Sequence, residues 1–158
     1  MQINVQRQFT ILHPSSPLEA IQYVRDVQQS LSRVSFIKNL RLEGQVVTAD
    51  LAVDVPFLGQ QLLDFRSRLE PHPDGASLIG LEQGGKAWAM VGGQARVSPA
   101  LQGSSIEYAL SIAVFIALPS SEKWGGKAVE KMAQATAEKA IERLTLEFPR
   151  GVAAGIEG

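Results

Sequence analysis

The sequence predicts an α+β domain in which a curved antiparallel sheet of about six to seven strands packs on one long C-terminal helix. Three observations carry this. Residues 2–11 alternate apolar and polar side chains, the period-two mark of a half-buried strand. A run of six further strand-like segments fills residues 36–118 with no long helical pattern between them. Residues 120–148, SSEKWGGKAVEKMAQATAEKAIERLTLEF, then read as one long helix. Strands grouped together with helices kept apart imply antiparallel pairing rather than parallel βαβ units.

In order along the chain, Ile3, Val5, Phe9 and Ile11 share one face of the first strand, and Arg7 interrupts them. Next, Ser16 is placed as an N-cap, Pro17 as the first helical residue and Glu19 as the partner of a capping box. Ala20, Ile21, Val24, Val27 and Leu31 follow at helical spacing, giving a short helix or a helix pair broken near Asp26. Phe36, Leu40 and Leu42 keep step in the second strand, and Glu43-Gly44-Gln45 has the chemistry of a hairpin turn. Val47 to Val55 and Leu63 to Leu69 alternate in the same way, PHPDG is a turn, and ASLIGLE is a short strand ended by QGGK. Residues 86–97 have two readable faces. One carries Trp88, Met90, Gln94 and Arg96, the other Ala87, Ala89, Val91, Ala95 and Val97, and the pattern leaves open which faces the core. Residues 105–118 are apolar on one face and mostly small on the other, as in a central or covered strand.

Pro119 ends that strand, Ser120 or Ser121 caps the long helix, and Pro149 stops it. The remainder, RGVAAGIEG, reads as a small, glycine-rich flexible tail (residues 150–158) on a single domain spanning 1–158. A helix of about 25 residues is ~37 Å long, and strands of about 12 to 14 residues reach ~40 to 46 Å, so the helix can lie along the sheet. Its inward stripe mixes Trp124, Val129, Met132, Ile141, Leu144 and Phe148 with Gly125, Ala128, Thr136 and Ala140. So many small side chains mean either close approach to the sheet or a roof over a hollow.

Composition excludes several classes. There are no cysteines, so disulfides, thiolate nucleophiles and thiolate zinc sites are absent. The net charge is −1, from 15 basic and 16 acidic residues without a basic stripe, which argues against nucleic acid as a partner. The first residues lack a charged segment followed by an apolar run, so no signal peptide is expected. The longest apolar run, YALSIAVFIAL, has about 11 residues against the roughly 20 of a membrane-spanning helix. A soluble cytoplasmic protein with no transmembrane segment is the expectation.

The order of elements resembles the helix-grip fold of the START-like (SRPBCC) superfamily, over nearly the whole chain. SSPLEAIQYVRD is similar to its first helix, LRLEGQVVTADLAVDVPFLG to its carbon monoxide dehydrogenase G-like members, and LPSSEKWGGKAVEKMAQATAEKAIERL to its closing helix. The resemblance implies a cavity for a hydrophobic small molecule between sheet and long helix. It names no ligand and no catalytic residue.

The candidate ligand-binding residues are Arg7, Trp88, Met90, Tyr108, Leu110, Val129, Met132 and Thr136. Arg7 is either paired with a structural carboxylate or an anchor for a ligand's acidic group. Trp88, Met90 and Tyr108 line the cavity or belong to the core; turned outward, Trp88 and Met90 would make a partner surface. Gly125 and Gly126 are a candidate gate at the start of the long helix. His13 and His72, each beside a proline, read as solvated loop residues, and two isolated histidines make a poor metal site. Asp50 and Asp54 read as a solvated strand face. No phosphate loop or nucleophile elbow is present. No metal, cofactor or catalytic residue is expected.

Three functions remain. The first is non-enzymatic binding of an apolar or amphipathic small molecule, lipid- or polyketide-like. The second is a cyclase- or aromatase-type enzyme using the same cavity, with Tyr108 and Thr136 as proton-handling candidates. The third is an interaction or assembly protein with a filled core, taking a protein partner or a second copy as a homodimer. Ligand pockets enclose about 300 to 1,000 Å³, so an interior space below about 100 Å³ would favour the third.

Overall fold

The computed structural model describes residues 1–55, 59–117 and 126–157. The chain runs β1 (Gln2–His13), α1 (Pro17–Arg25), α2 (Val27–Leu31), β2 (Ile37–Glu43), β3 (Val46–Val55), β4 (Gly59–His72), β5 (Gly75–Leu81), β6 (Ala87–Pro99), β7 (Ser104–Ile116), α3 (Lys127–Thr145) and α4 (Glu147–Glu157). The seven strands form one sheet in the order β1-β7-β6-β5-β4-β3-β2, every neighbouring pair antiparallel. Strands β2 to β7 thus form a meander, and β1 joins its far side.

Local chemistry explains the helix pair. The Ser16 hydroxyl accepts from the Glu19 N–H at 3.4 Å, and Pro17 supplies a first residue with no N–H to orphan. Asp26 leaves helical geometry at φ −90°, ψ 85°, and its carboxylate accepts from the Gln29 N–H at 3.2 Å. One residue therefore ends α1 and caps α2.

The core face of the sheet carries Ile3, Val5 and Ile11 on β1, Val47, Ala49 and Leu51 on β3, and Ile106, Ile112 and Val114 on β7. Each Val, Leu or Ile taken fully out of water stabilises the fold by roughly 1.5–3 kcal/mol. Helix α3 contributes Ala133, Ala137 and Ile141. It packs against β1 and β3, which lie at or next to opposite edges of the sheet. A helix can touch both only if the sheet curls, so α3 bridges the two arms of a trough.

The trough is pinched. Strands β5 and β6 pair over Gly75–Leu78 and Gly93–Arg96. Beyond that, the Ser67 hydroxyl of β4 donates directly to the Val91 carbonyl of β6 at 2.5 Å, with Ser67 fully buried. Gly93 makes the bend possible: its φ is +146°, and a Cβ there would lie 1.9 Å from the Ala109 carbonyl oxygen. The space between these strands is consequently narrow.

Two expectations about the C-terminus change. The described helix begins at Lys127; the caps expected at Ser120 or Ser121, together with Trp124 and Gly125 and therefore half of the expected gate, lie outside the described residues. The segment read as a flexible tail, residues 150–158, is instead helical through Glu157. Pro149 does not stop the chain, because it falls in the first turn of α4, where a missing N–H costs nothing. The tail's glycines are contact points. A Cβ on Gly151 would lie 2.5 Å from Val34 Cα, and one on Gly155 would lie 2.5 Å from Tyr23 Oη and 2.7 Å from the Gln29 carbonyl oxygen. Helix α4 is thus seated on the α1–α2 pair, with Val152 fully buried.

Adding a methyl at Gly151 or Gly155 must push α4 off this seat. Gly151→Ala and Gly155→Ala are expected to destabilise by about 1–3 kcal/mol, lowering the melting temperature by several degrees. Ala153→Ser, on the exposed side of α4, is expected to leave it unchanged. Equal melting temperatures for the glycine variants and the parent would contradict the seated helix.

Candidate functional site

Beneath α4 lies a small, partly open void of about 50 Å³. Its walls come from α1 and α2 (Val24, Val27, Leu31), from β4 and β6 (Leu69, Val91, Ala95), from β7 (Tyr108, Leu110) and from Phe148 of α4. The polar residues that line it, Ser30, Ser77, Gln94 and Tyr108, are all uncharged.

Tyr108 is the unusual member. It is 9% exposed, and its hydroxyl is buried with no hydrogen-bond partner among the described residues. Such an orphaned group costs about 1–3 kcal/mol in a folded interior. Burial, and secondarily Tyr23 nearby, pushes its pKa well above the ordinary tyrosine value, so it stays protonated and can donate. The pairing of β1 with β7 puts Phe9 opposite Tyr108. The Phe148 ring sits against both, stacked on Phe9 at 5.8 Å and edge-on to Tyr108 at 5.4 Å between ring centres. Tyr23 anchors α4 from the other side, its hydroxyl donating to the Val152 carbonyl at 2.5 Å. Burial first and the Asp26 charge second raise its pKa to about 12.

Of the candidate ligand-binding residues, Tyr108 and Leu110 meet at this void, and Arg7, Trp88, Met90, Met132 and Thr136 do not. Arg7 has the inward phase expected of it, opposite Leu110, but it pairs with Glu142 of α3 at 3.9 Å and remains 38% exposed. That is the structural-carboxylate alternative. Trp88 and Met90 share a face with their β7 partners Phe115 and Ala113, opposite to the face that carries Val91 and Ile112. They do not line the void. Nor is Trp88 an exposed patch, since its ring stacks on Phe115 at 4.1 Å and is 7% exposed. Met132 is 69% exposed, and Thr136 is also exposed, its hydroxyl donating to the Met132 carbonyl. Ala133 and Ala137 face the sheet in place of the expected Met132 and Thr136, while Ile141 and Phe148 of the same stripe are buried as expected and Leu144 packs against the core. The side chain of Val129 lies outside the described residues.

The histidines also differ from expectation. Both end strands instead of sitting in solvated loops. His13 is buried against Tyr23, with ring centres 5.5 Å apart, and its Nδ1 accepts from the Ser15 N–H at 3.1 Å. His72 Nε2 lies 2.6 Å from the Ser77 hydroxyl. No group of three or more metal-ligating side chains occurs among the described residues. Asp50 accepts from the Asn39 amide at 2.7 Å, a strand-face contact. Sequence reasoning missed the brace formed by Arg25, whose guanidinium donates to the carbonyls of Gly75, at 3.1 Å, and His72. It fastens α1 to the β4–β5 turn.

A curled antiparallel sheet gripping a bent C-terminal helix is the helix-grip fold of START-like proteins, and solved structures agree. The chain is similar to the Zhui aromatase/cyclase from Streptomyces sp. R1128 (15% identity, TM-score 0.61, covering 99% of this chain and 94% of that one). It is also similar to a START superfamily protein from Mycobacterium smegmatis (12%, 0.57, 98% and 97%). A third likeness is to a STAR-related lipid transfer protein from Xanthomonas axonopodis (10%, 0.50, 97% and 86%). At these identities the likeness speaks for the fold. By sequence, residues 8–146 match the family described as "Protein of unknown function (DUF3809)", and the chain belongs to that family. No protein with a curated description matches. No helix among the described residues is long and apolar enough to cross a membrane.

Two consequences are measurable. Burial lowers the His13 pKa, with Glu19 opposing it, so the folded chain resists protonation while the unfolded chain titrates near 6.5. The unfolded state then binds more protons as the pH falls below 6.5, so this contribution is complete above that value and shrinks below it. Denaturant melts between about pH 7.5 and 5 are expected to show a smaller loss of stability for His13→Gln than for the parent; equal slopes would contradict this. The Arg7–Glu142 pair is partly solvated, so Arg7→Leu is expected to change stability by less than about 1 kcal/mol in the same melts.

Proposed function

We propose that this domain binds an apolar small molecule non-enzymatically, in the space between sheet and C-terminal helices that the void under α4 marks. The observation that carries this reading is the Tyr108 hydroxyl: a buried donor with no acceptor among the described residues, at a void walled mostly by hydrocarbon. Burial of ligand surface would supply affinity, and that one donor would supply orientation. The likeness to an aromatase/cyclase and to a lipid transfer protein supports a ligand-holding use of the fold. Catalysis has less support. Proton transfer needs a group whose pKa lies near the operating pH. Among the described residues the lining of the void includes no carboxylate, imidazole or amine, and Tyr108 is held protonated.

A second reading is favoured by the size of the void. At about 50 Å³ the void is far below the roughly 300 Å³ of an ordinary pocket, while space for a water needs only about 10–15 Å³. A filled-core interaction protein with ordered water on Tyr108 would look the same. Native mass spectrometry of the protein purified from its own cells separates the two. Binding predicts a co-purifying molecule that Tyr108→Phe loses. A bare mass throughout, with Tyr108→Phe melting at or above the parent temperature, supports the filled core.

A further inference from the structure

The chemistry around the void restricts what can occupy it, and this restriction rests on the binding reading above. No charged side chain among the described residues lines the void, and the nearest inward cation on β1, Arg7, is part-solvated and engaged by Glu142. An ionised carboxylate or phosphate placed beside Tyr108 would lose its hydration with no counter-charge to replace it. A pure hydrocarbon would leave the Tyr108 hydroxyl orphaned. The Phe148 ring, which lines the same void, packs face-on to Phe9 and edge-on to the Tyr108 ring. Phe148 sits just beyond the break between α3 and α4 at Leu146, so its ring belongs to the short helix rather than to the long one.

We infer that the ligand is an uncharged, ring-bearing molecule with a hydrogen-bond acceptor such as a ketone or ester carbonyl, which displaces the Phe148 ring and accepts from Tyr108 Oη. Phe148 takes the ligand's place in the closed protein. Displacing it enlarges the space from its closed size, with α4 shifting on its glycine seat.

Three matched probes test this by calorimetry or NMR titration: 2-acetylnaphthalene, 2-ethylnaphthalene and 2-naphthoate. The ketone is expected to bind about five- to tenfold tighter than the hydrocarbon, the worth of one neutral hydrogen bond, and the carboxylate not to bind at concentrations that saturate the ketone. Tyr108→Phe is expected to erase the ketone's advantage. Phe148→Ala is expected to tighten both neutral probes, and Phe148→Leu serves where the alanine variant has melted. Equal binding of ketone and hydrocarbon in parent and Tyr108→Phe would overturn the inference while leaving the pocket. Preferred binding of the carboxylate, lost in Arg7→Leu, would overturn it in favour of an anionic ligand. Binding of none of the three, by the parent or by a folded Phe148 variant, would overturn the inference together with the binding reading.

Discussion

The pairing of β1 with β7 is the contact on which the rest of the structure depends. It joins the first strand to the last, twelve residues in register from Gln2 opposite Phe115 to His13 opposite Ser104. Without it the meander of β2 to β7 would be a sheet with no second arm, and α3 would have β3 to lie against but not β1. The same register sets Phe9 beside Tyr108 and so builds the aromatic corner that receives Phe148. It also fixes Arg7 on the inward face of an edge strand, where a charge discourages pairing with another chain and meets Glu142 across the opening.

Closure in this protein is achieved by small residues. Ala133 and Ala137 let α3 approach the sheet, and Gly151 and Gly155 let α4 approach α1 and α2. Gly93 lets β6 bend toward β4 until Ser67 reaches the Val91 carbonyl. Each brings two layers into contact, and the void beneath α4 is about 50 Å³. The small side chains of the long helix therefore serve close packing in the closed protein. What they do not do, among the described residues, is supply an acceptor for the Tyr108 hydroxyl.

Much of the architecture was legible because period-two alternation and turn chemistry are local. Ser16, Pro17 and Asp26 act as their residue types require, and the strands fall within a few residues of where alternation puts them. The misreadings have long-range causes. In α3 alanines occupy several phases, so hydrophobic period alone could not choose between 132/136 and 133/137. A bulge between Lys38 and Arg41, with Asn39 at φ 56°, puts Ile37 and Leu42 on the same side of β2 although their positions differ in parity. Glycines 151 and 155 read as flexibility because the partner that makes them necessary lies more than a hundred residues earlier in the chain. At the site, Tyr108 and Leu110 were visible from strand phase. Phe148 was visible as helix and Phe9 as strand, but their meeting is a product of topology.

Tyr108 Oη is a buried donor with no acceptor among the described residues. A crystal structure of the protein purified from its own cells, at a resolution that distinguishes water from a larger group, addresses it directly. Density is expected for an uncharged organic molecule, with an oxygen about 2.7–2.8 Å from Tyr108 Oη and the Phe148 ring moved aside. A Tyr108 hydroxyl bonded to a protein carbonyl, or to a single water with Phe148 in its closed position, would contradict it.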